Sequence, residues 1–179
     1  MPPLAVDLDG TLIRGDLFAR AMTRFCTARP WNVLVLLAWL TRGRAHAKAK
    51  LANLYPVDAG ALPYNKAFLA WLREQRAAGR VLVLATAFDQ AGAAAVAAQL
   101  GLFERVFASD GRVNLKSHAK AAALAAAFPE GFAYAGNERA DIPVWRAAQA
   151  AIVVNATSAL VRAARAAFNV ERVFERGEP

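Results

Sequence analysis

Val6-Asp7-Leu8-Asp9-Gly10-Thr11-Leu12 joins an apolar run, residues 4–6, to two carboxylates and a glycine. Side chains two apart on a strand share a face, so Asp7 and Asp9 project near one another at the strand's carboxyl end. Gly10 permits a sharp exit there, and Leu8 reads as buried behind the acids. Neighbouring carboxylates repel; keeping both ionised takes a cation or one shared proton, and a hard divalent ion such as Mg2+ accepts oxygen ligands. The plainer reading of a D-x-D is a solvated turn whose Asp side chains bond backbone N–H groups. Placement directly after a first apolar strand favours the functional reading.

Outward from this stretch, short apolar runs recur at 81–84, 105–107, 132–134, 152–154 and 170–174. Apolar on both faces, they read as buried parallel strands. Between them lie helical patterns at 64–78, 90–100, 119–128, 143–150 and 158–168, the first three closed by Gly79, Gly101 and Pro129. Strand and helix alternating in this way imply right-handed crossovers and an α/β fold, a Rossmann-like parallel sheet sandwiched by helices. Residues 16–63 interrupt the alternation with helical pattern at 17–26, 31–40 and 45–54 and no convincing strand. We read them as a small helical cap inserted after the first strand, with 1–15 and 64–179 forming the core. An insertion there sits at the carboxyl end of the sheet, where open α/β folds bind ligands. No G-x-G-x-x-G, P-loop or fixed-period repeat is present.

Length and composition bound the class. A chain of 179 residues holds one ordinary domain and a modest insertion. The 57% hydrophobic fraction includes 44 alanines, which form helix and contribute little burial. With 20% charged and 9% aromatic residues the chain can build a core, which excludes disorder. The most hydrophobic stretch, 33–40, falls far short of the ~20 residues that span a bilayer. The first residues reach Asp7 without a basic n-region, unlike a signal peptide. A single cysteine, Cys26, leaves no internal disulfide and no Cys-rich zinc site, so a cytoplasmic setting is expected. A net charge of +8 and a pI near 10.4 point to anionic partners. The basic residues are spread without a nucleic-acid motif, so nucleic acid is not expected.

Within the insertion, Cys26 beside Phe25 reads as a buried small hydrophobe. His46 stands among Arg42, Arg44, Lys48 and Lys50, a pattern expected of a solvated basic face. His118 has no His or Cys partner at ligand spacing, which argues against zinc. Trp31 and Trp39 bracket 33–38, which reads as cap core. An apolar helix followed at once by a basic run is also the form of an interfacial helix, and weak membrane-surface contact through the cap is the alternative.

Asp7-Leu8-Asp9-Gly10-Thr11-Leu12 resembles the first motif of the haloacid dehalogenase superfamily, phosphatases that work through an aspartyl-phosphate. That family's second motif, a Ser or Thr ending the next core strand, is matched where 81–85 runs into Thr86. The third, a Lys near a helix start, is offered by Lys116 and Lys120. The fourth, G-D-x-x-x-D, is matched by Gly136-Asn137-Glu138-Arg139-Ala140-Asp141. The four occur in order over nearly the whole chain outside the insertion, which lies where the family often carries a helical cap. In detail the chain is similar to phosphatase-like domains found alone or fused to UbiA-type membrane prenyltransferases.

The resemblance implies Asp7 as nucleophile and Asp9 as general acid and then base. It implies Thr86 and Lys120, or Lys116, as phosphate-binding residues; Lys120-Ala121-Ala122-Ala123-Leu124 resembles the family's K-x-x-x-L helix start, which favours Lys120. Mg2+ is then held by Asp7, the backbone carbonyl of Asp9 and Asp141, with Asn137 either a neutral ligand or a hydrogen bonder behind the ligands. Taken singly, Thr86 and Asp141 are equally helix N-caps, and both lysines are ordinary solvated helix residues. Asn137 departs from the motif by bringing no charge. The implied activity is Mg2+-dependent hydrolysis of a small phosphate monoester. The alternative is a silent relative that binds or regulates, as a partner of a membrane lipid (prenyl) enzyme.

Overall fold

The computed structural model describes residues 1–110 and 113–175, apart from the side chains of Arg44 and Ala45; the end of the 64–179 core segment, 176–179, lies outside the described residues. The chain enters at β1 (Leu4–Val6) and leaves the sheet for α1 (Leu17–Ala28), α2 (Asn32–Leu40) and α3 (Arg44–Leu54). It returns through a 3-10 turn at Ala59–Ala61 and α4 (Lys66–Ala77) to β2 (Leu82–Asp89). Then follow α5 (Gln90–Leu100), β3 (Arg105–Ser109), α6 (His118–Ala127), β4 (Ala133–Gly136), a 3-10 turn at Arg139–Asp141, α7 (Ile142–Ala147), β5 (Ala150–Val154), α8 (Ser158–Ala167) and β6 (Val170–Phe174).

The six strands form one sheet in the order β3-β2-β1-β4-β5-β6, and every pairing is parallel. This is the Rossmann-like α/β arrangement expected from the alternation of apolar runs and helices. Successive strand residues divide between two cores: Leu4, Val6, Leu82 and Leu84 pack on one face, Ala5, Val83 and Ala85 on the other. That two-sided burial is why the inner strands β1, β2, β4 and β5 are largely apolar rather than alternating, whereas the edge strands β3 and β6, expected to be buried on both faces, are only partly covered and carry exposed Arg105, Glu171 and Arg172. β1 lies in the middle, with Leu4 opposite both Leu82 and Ala133. Strand order reverses at β1, so a ligand crevice opens at its carboxyl end, where Asp7 and Asp9 stand.

Two boundaries differ most from those expected. β2 continues past residue 84 to Asp89, with an irregular register between Ala85 and Asp89. Helix α7 stops at Ala147 rather than at 150, because Ala150 pairs with Ala133 in the sheet.

Helices α1 to α3 share their own apolar cluster of Phe18, Phe25, Leu36, Ala47 and Leu51. Trp39 stacks on Phe25 at 4.9 Å between ring centroids, and Cys26 is half-buried. The 33–38 run is not cap core as a whole: of the residues of α2 only Leu36 is buried. Among the described residues no helix is long and apolar enough to cross a membrane.

Arg80, just before β2, is buried and ties three distant parts of the core together. Its Nη1 and Nη2 donate to Glu171 Oε1 at 2.7 Å and Oε2 at 3.0 Å, and its Nε donates to the carbonyl of Pro2 at 3.0 Å. Replacing it removes a bidentate pair and leaves acceptors short of a donor. Arg80→Met should lower stability by about 2 kcal/mol, a fall of roughly 4–8 °C in Tm. Thermal melts should show a smaller fall for Glu171→Gln, whose partner stays hydrogen-bonded.

Candidate active site

Asp7 continues β1 by one residue, its N–H donating to Ala135 O at 3.0 Å, and its buried carboxylate accepts from Lys120 Nζ at 2.6 Å. Lys120 lies in the first turn of α6 and is only 3% exposed. Its ammonium also donates to the Tyr134 hydroxyl at 2.8 Å, and that hydroxyl donates to Asp141 Oδ1 at 2.7 Å. Asp141 Oδ2 accepts from the backbone N–H groups of Asn137 at 2.9 Å and Glu138 at 3.0 Å. Asp141 therefore turns its carboxylate back onto the loop after β4 instead of capping α7. Burial pushes the Asp7 carboxyl up to about 6; Lys120 opposes that rise and the charge of Asp141 adds to it. Burial and the Asp141 carboxylate hold the Tyr134 phenol well above 10, so it remains a donor.

Asp9 sits two residues on, its Oδ1 accepting from the N–H of Leu17 at the start of α1 at 2.8 Å. Burial raises its carboxyl to about 7, against the lowering by that N–H bond. Gly10 has φ +75°, and a Cβ on it would lie 2.1 Å from Asn137 Nδ2, so conformation and space both require glycine. Asn137 is held from the other side by Thr11, whose hydroxyl donates to Asn137 Oδ1 at 3.2 Å.

These residues line one cavity of about 520 Å3, to which Asp7, Asp9, Thr86, Lys116, Lys120, Asn137 and Asp141 all contribute. The two lysines part company there. Lys120 is buried against Asp7, whereas Lys116 is exposed and pairs with Glu138 at 2.8 Å. Thr86 is buried within β2 and its hydroxyl accepts from Phe88 N at 3.0 Å; the cap of α5 is Asp89, accepting from Gly92 N at 2.9 Å.

Sequence reasoning missed two residues. Lys48 is not part of a solvated face: its ammonium reaches from α3 to the Ala87 carbonyl at 2.6 Å and lines the cavity. Tyr134 sits in an apolar strand, where an aromatic residue reads as core. Its hydroxyl acquires a role only when α6 and the 139–141 turn are placed around it.

The residues lining the cavity that could hold a metal through oxygen are Asp7, Asp9 and Asp141, with the neutral Asn137 amide beside them. Among the described residues no three His, Cys, Asp or Glu side chains cluster closely enough to form a metal site by themselves. An all-oxygen set of mixed charge suits a hard divalent cation, and the repulsion that Asp7 and Asp141 exert on each other is what such a cation relieves.

The fold is thus a parallel α/β sheet with an acid pair at its switch point, opening into one cavity. The chain belongs to the haloacid dehalogenase-like hydrolase family, whose model matches residues 4–146. A protein of uncharacterised function from Sinorhizobium fredii is 40% identical over 152 residues, 85% of this chain but 30% of that relative, so the chain spans under a third of the relative's length. A Bordetella pertussis protein of unknown function superposes with a TM-score of 0.71 at 19% identity, over 97% of each chain. Substrate-bound phosphoserine phosphatase superposes with a TM-score of 0.64 at 16% identity, over 98% of this chain and 94% of that one. A phospho-aspartyl intermediate analogue of phosphoserine phosphatase gives 0.64 at 17% identity, covering 98% and 93%. At these identities the structural likeness is one of fold.

The raised Asp9 carboxyl gives a stability prediction. Its folded value near 7 exceeds the ordinary 3.8, so burying the ionised form opposes folding above about pH 7, and that cost disappears as pH falls through 7 toward 3.8. In metal-free buffer Asp9→Asn should melt roughly 5 °C above wild type at pH 8 and level with it near pH 4. Equal melting at pH 8 contradicts the assigned desolvation.

Proposed function

We propose that the chain is a Mg2+-dependent phosphatase that cleaves a small phosphate monoester through an aspartyl-phosphate on Asp7. The observation that carries this is the arrangement of two acids with different tasks at one strand end: Asp7 ion-paired to buried Lys120, and Asp9 poised to hold a proton at neutral pH. Asp7 attacks phosphorus and forms the covalent intermediate, dividing one hard step into two. Asp9, with its carboxyl near 7, donates its proton to the leaving oxygen and then takes one from the attacking water. Thr86 and Lys120 hold the phosphoryl oxygens, with Lys116 farther out. When bound by Asp7, the Asp9 carbonyl, Asn137 and Asp141, Mg2+ supplies positive charge that offsets the phosphoryl oxygens.

Charge balance supports the cation. Asp7 and Asp141 together outweigh Lys120 by one negative charge, which opposes entry of a phosphate dianion. The likeness in fold to phosphoserine phosphatase, solved as a phospho-aspartyl intermediate analogue, supports the covalent route. Residues 16–63 act as the cap that selects the leaving group and excludes water from the intermediate. We place the activity in the cytoplasm, where a lone cysteine stays reduced.

Hydrolysis of p-nitrophenyl phosphate with and without Mg2+ tests this. Asp7→Asn should abolish turnover, and Asp9→Asn should lower it by at least ~10^2. Turnover that survives Asp7→Asn rules out the covalent route.

Asn137 sets a second expectation. One fewer negative charge beside a divalent cation weakens its binding, so Asn137→Asp should lower the Mg2+ concentration for half-maximal activity, by about tenfold, while Asp141→Ala nearly abolishes metal-dependent turnover. A silent binding module behaves oppositely in the same titration: it is inactive as it stands, and Asn137→Asp rescues little.

A further inference from the structure

Helix α2 is apolar on every side yet covered on only one. Leu36 is buried and Trp39 and Leu40 are half-buried against the cluster shared with α1 and α3. On the other side Leu34 is 69% exposed, Leu37 54% and Val33 45%, and Trp31 at the helix start is 59% exposed. Helices apolar all round belong in an interior, and contiguous exposed apolar patches mark a surface that meets something else.

The charge around this patch states what that something is. From residue 17 to 57 the sequence has seven Lys and Arg and no Asp or Glu. Arg29 and Arg42 are both exposed and flank α2 at its two ends, and the Arg29 guanidinium lies 5.8 Å from the centre of the Trp31 ring. Two copies of the chain meeting through α2 would bring these two acid-free segments together, like charge on like. A negatively charged bilayer surface satisfies both features at once: the apolar side chains and Trp31 enter the headgroup boundary while the arginines meet lipid phosphates. Nine residues rise only about 14 Å, far short of a span, so α2 lies in the plane of the interface.

We propose that α2 docks this protein onto anionic membranes, with Trp31, Val33, Leu34 and Leu37 as the inserted face and Arg29 and Arg42 as its electrostatic rim. The docking is independent of the phosphatase reading, since none of these six residues lines the catalytic cavity.

Sedimentation with vesicles of phosphatidylcholine alone, and with one third phosphatidylglycerol, tests it on the intact chain. Wild type should partition at least ~tenfold more strongly to the anionic vesicles, with affinity falling as salt rises and tryptophan emission shifting to the blue. Leu34→Glu/Leu37→Glu and Arg29→Glu/Arg42→Glu should each reduce partitioning at least ~tenfold, and Trp31→Phe should diminish the blue shift. Circular dichroism and thermal melts matching wild type show that the variants fold, as expected for changes at exposed positions. No binding to the anionic vesicles overturns the proposal. So does binding that Leu34→Glu/Leu37→Glu leaves intact, which would be unspecific attraction of a basic protein. Lipid-free self-association in the ultracentrifuge, dispersed by the same pair, would assign the face to a second copy instead.

Discussion

Lys120 and Asp7 meet at 2.6 Å in a place where either charge alone would cost several kcal/mol to bury. Their pairing lowers that cost, and the Tyr134 hydroxyl extends it by accepting a hydrogen bond from the Lys120 ammonium on one side and donating one to Asp141 on the other. Asp141 in turn holds the loop after β4 through two backbone N–H groups. Four side chains from β1, α6, β4 and the 139–141 turn are thereby fixed to one another. The pairing is incomplete, with two carboxylates to one ammonium; burial raises the Asp7 carboxyl and the Asp141 charge adds to that rise, a repulsion that the proposed divalent cation would relieve.

The sheet makes this arrangement available. β1 is central and short, so the residue that follows it emerges at the switch point, flanked by the ends of β2 and β4. Gly10 then turns the chain through a conformation that also leaves room for the Asn137 side chain. Inserting helices at this point of the chain brings Phe18 of α1 and Lys48 of α3 into the lining of the cavity alongside the core residues. Helix α2 of the same insertion faces outward, so the surface proposed to meet membranes lies in the segment that also supplies Phe18 and Lys48 to the cavity.

Much of this was legible in the sequence because its determinants are local. All six strands were marked by apolar runs, and Asp7 and Asp9 stood out directly after the first of them, whereas Thr86, Lys120, Asn137 and Asp141 were singled out only by the resemblance of the ordered motifs. Features set by contacts between distant segments were not legible. The continuation of β2 to Asp89 depends on pairing with β3, and the early end of α7 depends on Ala150 joining Ala133. Tyr134 and Lys48 looked like core and solvated surface because their partners, Asp141 and the Ala87 carbonyl, come from other elements. The apolar run in α2 suggested cap core, and only its packing shows that the cap is too small to cover both sides of the helix.

Trapping the covalent intermediate tests the catalytic role of Asp7 most directly. Wild type turning over p-nitrophenyl phosphate with Mg2+ is quenched in acid, reduced with borohydride, digested and mapped by mass spectrometry. An acyl phosphate on Asp7 is reduced to homoserine, so the peptide containing residue 7 should show that conversion only in the presence of substrate, and the Asp7→Asn protein should not show it. Steady turnover with no modified carboxylate, or with the modification on another acid, contradicts a mechanism built on Asp7.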